Sequence, residues 1–107
     1  MYRKEKVMPI FQADSDQLRE IAQIFQEQAD CIEDMLRDLV LKTDSLRGYG
    51  WVGLGADAYY DLFDDRIKPS LESLIRFLEG SNTEAIKVAE RVEEGEAHIL
   101  SMTRVVR

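Results

Sequence analysis

The feature that most constrains this chain is an apolar seam that advances in alternating steps of four and three. It runs through Leu18, Ala22, Phe25, Ala29, Ile32, Leu36, Leu39, Thr43 and Leu46 without a slip. That period belongs to a helix packed lengthwise against another helix, and no strand can keep its side chains on one face with it. Ile21, Ile24, Cys31, Met35 and Val40 lie beside the seam and widen it. Asp14 or Ser15 can cap the start, and Asp16 and Glu20 put negative charge where a helix dipole favours it. The pattern predicts a first helix from about 15 to about 47.

A second seam follows, through Ala56, Tyr60, Phe63, Ile67, Leu71, Leu74, Leu78, Ser81, Ala85, Val88, Val92, Gly95, Ile99 and Met102. It predicts a helix from about 55 to about 103 with one irregular step, from Ile67 to Leu71, across Pro69. Proline withholds an N–H from the carbonyl four residues back, so a bend is expected near Pro69. Gly80-Ser81-Asn82-Thr83-Glu84 carries both a stop signal and a capping-box pattern. The heptad phase passes through it unchanged, which favours a continuous helix. Between the two helices, four of the six glycines fall within Gly48–Gly55, and the turn is expected over 48–54.

Two long helices and a short turn make an antiparallel hairpin, and 107 residues suit a single domain spanning 1–107. The stripe on the first helix is wider than one neighbour can cover. A second hairpin, identical or related, would bury the rest, so the expected architecture is all-α, with the hairpin dimerising into a four-helix bundle. Core positions of the hairpin or the dimer are expected at Leu18, Phe25, Ile32, Leu36, Leu39, Tyr60, Phe63, Leu74, Leu78, Val88 and Val92.

Charge and composition exclude several functions. Fourteen basic against 21 acidic residues give −7, which opposes nucleic-acid binding and docking on anionic lipid. The longest aliphatic run, Leu39-Val40-Leu41, cannot span a bilayer. MYRKEKVMPIFQ lacks the apolar stretch of a cleaved signal peptide, so export is expected only by a route other than the general secretory one. The single Cys31 makes neither an intrachain disulfide nor a zinc site, and it suits a small buried hydrophobe. Asp61, Asp64 and Asp65 share a helix face without a calcium-loop turn and read as a solvated face. His98 has no His or Cys ligand partners and reads as a surface residue. No phosphate loop or dinucleotide fingerprint occurs, and neither a cofactor, a metal nor an enzymatic activity is expected.

Trp51-Val52-Gly53 stands in the turn, followed by Leu54-Gly55-Ala56-Asp57-Ala58-Tyr59. Gly53 suits a positive φ or a close backbone approach. Small residues after it leave room for the indole of Trp51, either as a plug in the hairpin or as part of a surface shared with a partner. A helical chain of this length with a central Trp-x-Gly turn and a following run of small residues resembles the WXG100 family, the ESAT-6-like proteins. The resemblance implies a non-enzymatic protein exported as a folded dimer, without a cleaved signal peptide, by a type VII (ESX) system whose ATPase recognises it. The family's recognition element joins the Trp-x-Gly turn, here Trp51 and Gly53, to a Tyr-x-x-x-Asp/Glu motif beyond the second helix. No tyrosine follows Tyr60 in this sequence, and Tyr60-Asp61-Leu62-Phe63-Asp64 matches the letters at the start of the second helix, where it reads as packing. The export signal would then come from a co-secreted partner, or the chain would serve as a carrier for a larger toxin-like substrate; the tail Met102–Arg107 reads either as a frayed helix end or as a docking tail. The alternative is a cytosolic helical adaptor that binds the hairpin of a larger effector and stays behind.

Overall fold

The computed structural model describes the backbone of residues 2–106 and the side chains of residues 14–102. All regular structure in the described residues is helical: α1 (Tyr2–Gly48), α2 (Leu54–Leu62), a π-helical turn (Phe63–Ile67) and α3 (Lys68–Val106). Helix α1 packs antiparallel to α2 and α3 as a hairpin. The chain divides into two compact units, one of residues Gln26–Glu79, the other of residues up to Phe25 with those from Gly80 on.

Helix α1 starts well ahead of the cap expected at Asp14 or Ser15. Ser15 is fully buried, and its hydroxyl donates to the Glu93 carboxylate, so it is spent across the hairpin instead of on a helix end. Along α1 the buried residues recur every seventh position: Ser15, Ala22, Ala29, Leu36 and Thr43. Leu18, Phe25, Ile32 and Leu39 flank them, half-buried. Charged residues on the outer face pair within the helix, Lys42 with Asp38 at 2.9 Å and Arg37 with Asp34 at 3.0 Å.

In the unit of residues 26–79, Ala29, Leu36 and Ile75 form a core, with Ile32, Val40, Leu71 and Leu78 packed against it. Phe63 and Ala56 are buried nearer the turn, and Thr43 bonds the Tyr59 hydroxyl at 2.9 Å. In the other unit the buried residues are small, namely Ser15, Ala22 and Ala89, which lets two helices pack closely. There Asn82 donates its side-chain N–H to the Ala22 carbonyl at 2.7 Å. An amide half-buried among apolar groups needs that partner, so the bond favours one register of the two helices.

The π-turn explains the irregular step in the second seam. Its defining bond runs from the Lys68 N–H to the Phe63 carbonyl, one residue longer than an α-helical bond. It takes up the extra residue that separates Ile67 from Leu71, and it lies directly before Pro69, whose ring would crowd the Asp65 carbonyl of a regular helix. Beyond Pro69, α3 continues through Gly80–Glu84 without a break. Its buried seam is shifted from the expected one at every second step. Leu74 and Val88 are exposed at 40% and 39%, while their neighbours Ile75 and Ala89 are buried. Leu78 and Val92 are half-buried on the expected side.

Candidate functional site

The turn joining α1 to α2 is built by two glycines and closed by aromatic side chains. Helix α1 ends in a Schellman motif: the Gly50 N–H bonds the Arg47 carbonyl at 3.2 Å and the Trp51 N–H bonds the Leu46 carbonyl at 3.1 Å. Gly50 stands at the position that requires positive φ and has φ 78°. Gly53 precedes α2 with φ 117° and ψ 179°, a region essentially closed to any residue with a Cβ. Its carbonyl accepts the first bond of α2, from the Asp57 N–H at 2.9 Å. The glycine of Trp-x-Gly is thus required by the backbone, since a Cβ built on it would meet no atom.

Trp51 is 44% exposed. The covered part of the indole meets Tyr59 with ring centroids 5.8 Å apart and Tyr60 edge-on at 5.6 Å. Tyr59 in turn stacks on Phe63 at 6.2 Å, so a chain of rings leads from the turn to the buried core. The Tyr60 hydroxyl donates to the Trp51 carbonyl at 2.8 Å and fixes the turn's backbone as well as its ring. Trp51 therefore plugs the hairpin and still presents part of its surface outward.

Arg47 locks this arrangement. Its guanidinium lies over the Tyr60 ring, 4.6 Å from the centroid, and holds Asp64 through two bonds of 2.9 and 2.8 Å. A planar, permanently charged fork can do both at once, which lysine could not. The bond to Asp64 raises the Arg47 pKa above its usual value. Tyr60 and Asp64, the two lettered positions of Tyr-x-x-x-Asp, are thus both engaged with one arginine of the same hairpin.

A second polar cluster binds α1 to α3 in the other unit. Arg19 grips Glu93 with bonds of 2.7 and 3.0 Å, and Ser15 adds a third. The Arg19 bond, then the Ser15 bond, pull the Glu93 carboxyl down to about 2. Among the described residues no group of three or more His, Cys, Asp or Glu side chains could hold a metal, and Asp64 is committed to Arg47. Cys31 is exposed, contrary to the buried position expected for it. His98 is exposed. The side chains of Arg104 and Arg107, in the candidate docking tail, lie outside the described residues.

Sequence reasoning missed Arg47, Asp64 as its partner, Arg19 and Glu93, because ion pairs between distant positions leave no local period. It also passed over Tyr49, Val52 and Leu54, exposed at 89%, 79% and 91% around the turn.

Residues 10–97, which include this turn and most of both helices, match the family described as proteins of 100 residues with WXG. The chain belongs to the WXG100 family. Members are ESAT-6-like proteins, generally associated with type VII secretion, and they typically pair as helical hairpins. Comparison with curated proteins and with solved structures finds no match. In this WXG100 protein the signature residues are Trp51 and Gly53, and their geometry accounts for both letters. The tryptophan supplies the first ring of the stack, and the glycine supplies the backbone that starts α2. No helix among the described residues is long and apolar enough to cross a membrane.

Proposed function

We propose that this WXG100 protein is a non-enzymatic substrate of a type VII (ESX) secretion system. It leaves the cytoplasm as a folded dimer of hairpins without a cleaved signal peptide, alone or with a related hairpin as co-secreted partner. The observation that carries this reading is the turn itself: a family signature tryptophan held in place by Tyr59, Tyr60 and Arg47, with 44% of its surface left for contact. A plug with no further role would be covered more completely. The system's ATPase is the expected reader of that surface, together with groups from the partner hairpin.

The test compares cell pellet and culture medium in the native host with and without the secretion ATPase. ATPase-dependent appearance in the medium is expected. Retention in the cytoplasm, under conditions where other substrates of the system leave, would overturn the export reading and favour the adaptor. Trp51→Ala should reduce export far more than helix content.

A further inference from the structure

The turn displays more apolar surface than its own packing uses. Tyr49, Val52 and Leu54 are exposed at 89%, 79% and 91%, and among the described residues none of the three side chains makes a ring contact or a hydrogen bond. Turns are ordinarily polar, because an apolar side chain in water contributes nothing to the fold and invites association. The backbone that carries these three is unusually well fixed. The Schellman bonds lie before Val52, the Gly53 carbonyl bond after it, and the Tyr60 hydroxyl holds the Trp51 carbonyl between them. Side chains held on a fixed turn lose little conformational freedom on docking, the arrangement that favours tight binding by a small patch.

The charges around the patch give the chemistry of its occupant. The one cation of the turn, Arg47, is consumed by Asp64. Asp44 near the end of α1, Asp57 in the first turn of α2 and Asp61 in its last turn form no ion pair among the described residues. Three apolar side chains on a turn whose flanking helices carry carboxylates outside any ion pair repel an anionic bilayer surface, and they complement an apolar hollow rimmed by cations. We infer that Tyr49, Val52 and Leu54 form a knob that inserts into an apolar socket rimmed by lysine or arginine on a protein partner. This deepens the reading of the turn as a recognition surface and rests on that reading for its place in export. The Trp51–Gly53 pair shapes the knob, and its neighbours make the contact.

The test uses the full chain in its native host, with a benzophenone amino acid in place of Tyr49 and, as control, in place of Asp30 on the polar side of α1. Irradiation should give a protein adduct from position 49 and not from 30. Val52→Ser with Leu54→Ser should lower its yield by about tenfold, the scale for removing two central apolar anchors. Asp44→Asn, Asp57→Asn and Asp61→Asn together should lower it further, and the cross-linked peptide should carry Lys or Arg beside apolar residues. Helix content and thermal midpoint of the Val52→Ser, Leu54→Ser variant should stay unchanged, since these two exposed side chains support no packing. An adduct indifferent to Val52 and Leu54, an adduct with lipid alone, or no adduct above the control overturns the knob. Secretion of the same strains, scored in parallel, decides the export reading separately: a Val52- and Leu54-dependent adduct in a protein that never reaches the medium would keep the knob and remove export.

Discussion

At the scale of single residues, the hairpin is held by a few long-range polar contacts whose removal has distinct signatures. Glu93 titrates far below the ordinary carboxylate range because Arg19 and Ser15 bond its charged form. A carboxyl whose folded pKa is depressed stabilises the fold at pH above its unfolded value, and this stabilisation is lost as pH falls toward about 2. The thermal midpoint should therefore drop with acidification over that window, and Glu93→Gln should flatten that part of the profile while lowering the midpoint near neutrality. A variant with an unchanged acid limb would assign it to other carboxylates. Tyr60→Phe makes a narrower change, since it keeps the ring beneath Arg47 and loses only the bond to the Trp51 carbonyl. We expect a cost of about 1 kcal/mol, the usual net value of one hydrogen bond, measured by chemical denaturation. Trp51 is the only tryptophan, so its fluorescence reports the turn directly, and the native emission should shift toward that of a more solvated indole.

At the scale of elements, glycines that look alike in the sequence have opposite roles. Gly80 lies inside α3 with no positive φ, and a Cβ there would meet nothing within 4 Å, so Gly80→Ala should stabilise the protein by about 1 kcal/mol. Gly53→Ala should destabilise it by roughly 1 to 3 kcal/mol, because φ 117° with ψ 179° suits glycine alone. Denaturation midpoints moving in opposite directions would check both. The same elements show what was legible in the sequence. The α1 seam was readable because large and small apolar residues keep one period from Ala22 to Leu36. In α3 the period was readable but its phase was not. Apolarity selected Leu74 and Val88, whereas the hairpin buries Ile75 and the small Ala89 and places polar Asn82 and Glu96 on the same line. Close packing and one specific amide bond fixed the phase, and neither shows as hydrophobicity. The extra residue between Ile67 and Leu71 was visible, but its resolution as a π-turn depends on backbone hydrogen bonding that the apolar pattern does not encode.

At the scale of the whole molecule, the phase shift in α3 separates two sets of apolar residues. Four large exposed side chains stand one position before a buried one: Ile21 before Ala22 and Val88 before Ala89 in one unit, Met35 before Leu36 and Leu74 before Ile75 in the other. Because the two helices run antiparallel, the same offset on both puts their exposed stripes on one side of each pair. Cys31 and Phe77 continue that side in one unit, Ile24 and Met102 in the other. The wide stripe read from the sequence is therefore two adjoining faces, one closing the hairpin and the other free. A second hairpin is the occupant that family pairing suggests, and the purified chain should scatter as about twice its 12.4 kDa mass. Replacing Ile24 and Val88 by Glu should give a monomer with native helix content, since neither side chain is part of the hairpin core. Loss of helicity together with the dimer would mean that the hairpin folds only when paired. A native chain that scatters as a stable monomer would mean that the free face awaits a different hairpin. In that case the thiol of Cys31, labelled readily in the isolated chain, should become protected only when that partner is added.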